Sequence, residues 1–122
     1  MNASAAPFLM IDDERFPPSD GNAWVLVRTV AEAVRWIKAH GVPAHIAFDN
    51  DLQRRLEGRH LAQWMIRVDM EQRGTFIPAG FTFYVHSQNA VNGIKALLNH
   101  HLEGREALLQ RLDALPKRGP RP

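Results

Sequence analysis

Hydrophobic residues occur along the chain in short continuous runs, separated by longer segments in which they recur every three or four positions. The runs are rich in β-branched and aromatic residues and predict strands over 8–11, 24–28, 45–48 and 81–85. The longer segments have the spacing of amphipathic helices. Strands that alternate with helices favour a parallel sheet with helices on its faces. The pattern therefore predicts an α/β fold, built on a small open parallel sheet of about four strands flanked by helices.

The helices are marked by their capping residues. Thr29, followed three positions later by Glu32, predicts a capping box at the start of the first helix, and Gly41 predicts its end. A second helix of about four turns is expected after Gly58. Asn89 is expected to cap a third.

A separate amphipathic segment is predicted over 105–115, with leucines 108, 112 and 115 on one side. These leucines would pack on the same domain or on a second copy, and the sequence leaves the oligomeric state open. We expect residues 1–103 to form one domain. Residues 104–122 would then be an amphipathic helix and a disordered basic tail.

Polar residues follow three of the four predicted strands. Acids follow the first and third, and a histidine, a serine and an asparagine follow the fourth. In chain order they are Asp12, Asp13, Asp49, Asp51, His86, Ser87 and Asn89. The carboxyl ends of parallel strands share one edge, where ligands of open α/β sheets bind. Because carboxylates are preferred ligands of Mg²⁺ (or Mn²⁺), which leaves coordination positions for water and phosphate, this edge predicts a site for a metal ion and a phosphate.

Each of these residues also has an ordinary structural interpretation. Aspartate and asparagine after a strand commonly form turns. His86 can be satisfied by a backbone carbonyl, or it can donate or accept a proton in the cleavage of a phosphoester. Asn89 can cap a helix, and a helix N-terminus at this edge would also bind an anion. His60 is expected to begin a helix near the loop after Asp49, from which it could reach the same pocket.

Composition and charge narrow the classes of protein that fit this chain. The 122 residues are 45% hydrophobic and 23% charged, as expected for one globular domain. The absence of cysteine excludes disulfides and thiolate chemistry and suits the cytoplasm. No signal peptide, membrane span, Gly-rich phosphate loop or nucleophile elbow is recognisable. Lys117, Arg118 and Arg121 turn a body of net charge −1 into a chain of +2, so a basic tail either helps to hold RNA or keeps the protein soluble.

Four motifs together resemble the cyclic-phosphate processing receiver-like domain family. They are IDDERFPP, WVLVRT, IAFDNDL and FTFYVHSQNAVNGI, at residues 11–18, 24–29, 46–52 and 81–94. The resemblance, over roughly residues 8–102, implies a receiver- or flavodoxin-like fold and action on cyclic phosphates, such as a 2′,3′-cyclic RNA end or a cyclic nucleotide. It also implies that the acids after the first and third strands match the family's acidic positions. His86, Ser87 and Asn89 match its HSxN signature.

Three functions are compatible with this reading. The first is metal-dependent hydrolysis of a cyclic phosphate. In it, Mg²⁺ (or Mn²⁺) would be bound by Asp12, Asp13 and Asp49, and the catalytic residues would be His86, Asp49 and Asp51. The substrate would be bound by Ser87, Asn89 and His60. The second is a receiver-type switch phosphorylated at Asp49, although no fifth strand ending in lysine is predicted. The third is a protein that binds a cyclic nucleotide or RNA end without turnover, since Asn50 stands where the family often has histidine.

Overall fold

The chain forms a four-stranded parallel sheet, seen in a computed structural model that describes residues 7–49, 57–86 and 93–114. The strands are β1 (Phe8–Ile11), β2 (Trp24–Val27), β3 (His45–Asp49) and β4 (Thr82–His86). Their order in the sheet is β2-β1-β3-β4, and every neighbouring pair is parallel. The predicted small open parallel sheet is confirmed.

Three helices follow strands β2, β3 and β4: α1 (Val30–His40), α2 (Gly58–Glu71) and α3 (Ile94–Asp113). Half of the capping box predicted for α1 is confirmed, because the hydroxyl of Thr29 accepts a hydrogen bond from the backbone N–H of Glu32 at 3.1 Å. The carboxylate of Glu32 accepts instead from the backbone N–H of Arg28, one residue before the N-cap, at 2.7 Å. Gly41 ends the helix with a positive φ of 87°, and its N–H donates to the carbonyl of Ile37. A residue other than glycine would be strained in that conformation.

The C-terminal part of the chain differs from the prediction. Instead of two helices there is one, which begins with Gly93 rather than Asn89 at the N-cap position and runs unbroken to Asp113. Gly104 lies inside it, where a glycine costs only about 1 kcal/mol and does not by itself end the helix. Leu108 and Leu112 are about half exposed and do not join the core. Asn89, Leu115 and the basic tail lie outside the described residues.

The core lies on one face of the sheet. Alternate residues of the central strands, Leu9 and Ile11 on β1 and Ile46 and Phe48 on β3, are buried there among apolar side chains from all three helices. The alternation of strand side chains puts the intervening residues on the opposite face. That second face is only partly covered, and it leads directly to the acidic edge of the sheet. None of the described helices has the length and apolar character needed to cross a membrane.

A buried carboxylate ties α2 to α3. Asp69 accepts hydrogen bonds from the backbone N–H groups of Phe76 and Ile77, and His101 Nε2 and an Arg105 nitrogen lie 2.7 and 3.1 Å from its Oδ2. Arg105 also donates to the carbonyl of Ile77 at 2.7 Å. Burial alone would raise the pKa of Asp69, but the hydrogen bonds from Ile77 and His101 and the charge of Arg105 outweigh it and lower that pKa.

Candidate functional site

The strand register brings the polar strand ends together. Asp49, the last residue of β3, is the register partner of His86, the last residue of β4. On the other side, Ile11 at the end of β1 pairs with Phe48, so the next residue of that chain segment, Asp12, lies beside Asp49. Asp12, Asp49 and His86 thus lie side by side at the carboxyl edge, where ligands of open α/β sheets bind.

The three predicted metal ligands converge at this edge. Ligand oxygens of Asp12, Asp13 and Asp49 all lie within 4.8 Å of one another. Asp12 and Asp49 are only 1% and 4% exposed, and Oδ1 of Asp13 is also buried. Oxygen ligands of Mg²⁺ stand about 2.1 Å from the ion, so ligands on opposite sides are about 4.2 Å apart. Three carboxylates whose oxygens lie within 4.8 Å of one another can therefore bind one such ion after an inward movement of their side chains.

The two oxygens of Asp12 have different partners. Its Oδ1 accepts backbone hydrogen bonds from Glu14 and Arg15, both at 2.9 Å, which fixes the carboxylate. Its Oδ2 faces the guanidinium of Arg15 at 3.3 Å. Burial alone would raise the pKa of Asp12, but the hydrogen bonds from Arg15 and Glu14 and the guanidinium charge lower it below the ordinary value. Asp12 is therefore ionised at neutral pH, with one oxygen directed at a cation.

Arg15 is a site residue that sequence reasoning missed. The same guanidinium nitrogen lies 3.3 Å from Asp12 Oδ2 and 3.8 Å from Asp49 Oδ2. About half of its side chain is exposed. The available signal was its place in the IDDERFPP motif, three positions after Asp12.

Arg28 holds the loop that carries this arginine. It donates hydrogen bonds to the backbone carbonyls of Asp12 and Arg15, both at 3.1 Å. Its guanidinium also lies 5.0 Å from the centre of the Phe16 ring, within cation–π range. Arg28 follows the end of β2, and its partners are 13 and 16 positions earlier in the chain, so local sequence patterns did not reveal the contact.

A crevice of about 70 Å³ opens beside the carboxylates. Its lining residues are Met10, Asp12, Arg15, Ala47, Phe48, Tyr84 and His86. The volume is about that of two water molecules in the liquid, so it suits a phosphate-sized group and not a whole nucleotide. Tyr84 is 58% exposed, which leaves its ring accessible to a larger ligand that reaches out of the crevice.

His60 has a structural partner at the start of α2. Its Nδ1 accepts a hydrogen bond from the backbone N–H of Glu57 at 2.8 Å, in a capping box. That bond leaves only Nε2 to face a ligand, so binding of substrate by His60 stays a prediction. Next to it, Gly58 packs against the backbone carbonyl of Asp49, where a β-carbon would clash. The predicted roles of Asp51, Ser87 and Asn89 lie outside the described residues.

Comparisons with known proteins agree with the motifs. The family model described as the cyclic-phosphate processing receiver domain matches residues 8–100, which include the whole sheet and the described part of the site. No curated protein matches significantly. A solved fusion of the yeast Spc42 trimeric coiled coil with another protein is 14% identical, covers 94% of this chain and 89% of that one, and has a TM-score of 0.47.

Proposed function

The chain belongs to the cyclic-phosphate processing receiver domain family, and we propose that it hydrolyses a cyclic phosphate with the help of a divalent metal ion. The proposed site lies at the carboxyl edge of the parallel sheet of this receiver-like α/β fold. One observation carries the proposal above all others. Oxygens of Asp12, Asp13 and Asp49 lie within 4.8 Å of one another, beside the strand that ends in His86.

The three carboxylates are the proposed ligands of Mg²⁺ or Mn²⁺. A bound ion of this kind would stabilise the negative charge that develops on the phosphoryl oxygens. Asp12 contributes Oδ2, since its Oδ1 is already engaged by two backbone N–H groups. Asp49 is held by its place at the end of a central strand and by the start of α2 packed against its carbonyl.

His86 is the proposed acid or base. Hydrolysis forms one new P–O bond from water and breaks one of the two ring P–O bonds, so a proton must leave the water and another must reach the departing oxygen. An imidazole can carry out either transfer. His86 lines the phosphate-sized crevice together with Asp12 and Arg15. In this proposal Asp51 orients the water, and Ser87, Asn89 and His60 help to bind the phosphate or its attached group.

The proposed substrate is a nucleotide, either a cyclic nucleotide or a 2′,3′-cyclic RNA end. Tyr84 precedes His86 by two residues on the same strand, so the two side chains share a face and stand about 7 Å apart along it. An exposed aromatic ring at that distance can stack on a base while the phosphate lies near His86.

The test is incubation with Mg²⁺ or Mn²⁺ and an RNA oligomer that carries a 2′,3′-cyclic phosphate, beside a panel of cyclic nucleotides. The reaction is run in ¹⁸O-water, because hydrolysis puts one heavy oxygen on the product phosphate and mass spectrometry detects it. Asp49→Asn and His86→Ala should each lower the rate by about a hundredfold or more. His100→Ala is the matched control, since His100 is exposed on α3 away from the site.

The two alternative functions predict different results, which two further measurements distinguish. Ligand-induced thermal stabilisation without any ¹⁸O-labelled product would favour a binding protein that lacks turnover. Acid-labile phosphate on Asp49 after treatment with acetyl phosphate would favour a receiver-type switch. Turnover that persists in both Asp49→Asn and His86→Ala would refute the roles assigned here.

A further inference from the structure

A positive side chain lies where the proposed metal ion would be attracted. One nitrogen of Arg15 is 3.3 Å from Asp12 Oδ2 and 3.8 Å from Asp49 Oδ2, so the guanidinium partly neutralises two buried carboxylates. A divalent cation would be drawn to the same two oxygens. Because like charges repel strongly at such short range, the guanidinium and the ion compete for them.

The contacts of Arg15 hold its backbone more firmly than its side chain. Its N–H donates to Asp12 Oδ1 at 2.9 Å, and its carbonyl accepts from Arg28 at 3.1 Å. Charge-assisted hydrogen bonds are normally 2.7–2.9 Å long, so both guanidinium distances indicate weak pairing. The side chain is also half exposed. It can therefore leave the carboxylates while the loop stays in place.

We propose that Arg15 and the metal ion alternate on these carboxylates, and that the displaced Arg15 binds the substrate phosphate. The inference rests on the metal-dependent function proposed above. Arg15 lines the same crevice as His86, so a short rotation of the side chain turns it from the carboxylates toward a phosphate held there. A guanidinium suits both partners, because its planar fork matches carboxylate and phosphate oxygens alike.

In this arrangement Arg15 couples the binding of the metal ion to the binding of phosphate. Without metal it offsets the repulsion among the carboxylates. With metal bound, its positive charge becomes available, so metal binding increases affinity for phosphate, and phosphate increases affinity for metal by the same factor. Phosphate also contacts the ion directly, which couples the two affinities without Arg15. The contribution of Arg15 to this coupling is therefore the share that is lost when its side chain is replaced.

The first measurement is Mn²⁺ affinity, followed by the EPR signal of the free ion in titrations of the full chain. Arg15→Gln removes the competing charge and should bind Mn²⁺ at least about threefold more tightly than the unaltered protein. Arg15→Lys keeps a competing charge and should stay closer to the unaltered protein. Arg35→Gln makes the same charge change on the exposed surface of α1 and should leave the affinity unchanged. Circular dichroism checks that each variant is folded.

The second measurement is the affinity of the Mn²⁺-loaded proteins for inorganic phosphate, by equilibrium dialysis. Arg15→Gln should weaken it by about tenfold, because a charge-assisted contact is lost. Equal or weaker Mn²⁺ binding by Arg15→Gln would overturn the competition, and unchanged phosphate binding would overturn the transfer to phosphate. If the unaltered protein binds Mn²⁺ and Asp49→Asn does not, the proposed metal site stands even when one of these two predictions for Arg15→Gln fails. If neither the unaltered protein nor Arg15→Gln binds Mn²⁺, both proposals fall.

Discussion

Asp69 is a buried carboxylate with several polar partners. It is fully buried and joins two backbone N–H groups to His101 and Arg105. Asp69→Asn keeps the size of the side chain but removes its charge, so Arg105 loses its buried ionic partner. We expect the free energy of unfolding to fall by about 2–4 kcal/mol, measured by urea denaturation at neutral pH.

The pH dependence gives a sharper test of the same residue. The folded state lowers the pKa of Asp69, so its stabilising contribution is fully present above the unfolded-state value of about 3.9. It is lost as the pH falls through the lower, folded pKa. The stability gap between the unaltered protein and Asp69→Asn should therefore narrow below about pH 4. Asp113→Asn, an exposed acid at the end of α3, is the control, and a gap that is constant with pH would contradict the prediction.

The site residues that were predicted from the sequence could all be located from the local pattern of hydrophobic and polar positions. Asp12, Asp49 and His86 follow or end hydrophobic runs, and parallel strands then bring them to one edge without further information. Arg28 and Asp69 escaped prediction because their partners are distant in the chain, up to 36 positions for Asp69 and Arg105. An arginine or a buried aspartate has no periodicity that reveals which backbone carbonyl or side chain it will meet.

At the scale of the helices, alanine substitution is expected to have opposite effects on stability at two glycines, Gly58 and Gly104. Gly58 opens α2 against Asp49, and an added β-carbon would press into the carbonyl of Asp49 and come within 3.0 Å of Ile94. Gly58→Ala should therefore destabilise the protein by about 1–3 kcal/mol. It should also weaken Mn²⁺ binding, because the end of β3 must move. Thermal unfolding and the EPR titration measure the two effects.

Gly104 provides the matched comparison. It lies within α3 and has open space where a β-carbon would be, so alanine only raises helix propensity there. We expect Gly104→Ala to stabilise the fold by about 0.5–1 kcal/mol and to leave Mn²⁺ binding unchanged. If both alanine variants altered stability alike, close packing of Gly58 on the site would not be the cause.

The start of α3 shows why helix boundaries were harder to predict than helix existence. The first helix was predicted from caps that the structure has, at Thr29 and Gly41. For α3, Asn89 was the better N-cap by residue type, yet Gly93 has that position without a side-chain cap. Burial of Ile94 and Leu98 in the core therefore fixes the described start of this helix more than capping preference does.

At the scale of the molecule, α3 runs across the boundary that the sequence suggested between residues 103 and 104. Arg105 lies beyond that boundary, yet it is mostly buried against Asp69 and donates to carbonyls of the segment that leads into β4. After Arg105 the helix is exposed to solvent throughout residues 106–114. We therefore expect the stable domain to extend through Arg105, two residues past the boundary predicted from the sequence.

Two shortened chains test this limit. A chain that ends after Glu106 keeps every described contact of the Arg105 side chain and should unfold within a few degrees of the full chain. A chain that ends after Glu103 lacks Arg105 and leaves the carboxylate of Asp69 with less compensating charge, so we expect a loss of about 2–3 kcal/mol. Thermal unfolding by circular dichroism measures both.

A third chain separates the lost side chain from the shortened helix. Arg105→Gln in the chain that ends after Glu106 preserves the helix length and removes only the charge. It should be nearly as unstable as the chain that ends after Glu103, because the buried carboxylate of Asp69 loses the same partner in both. If instead it matched its parent, the ionic contact would contribute little, and the last turn of helix would account for the difference. Equal stability of the chains ending after Glu103 and Glu106 would support the boundary expected from the sequence.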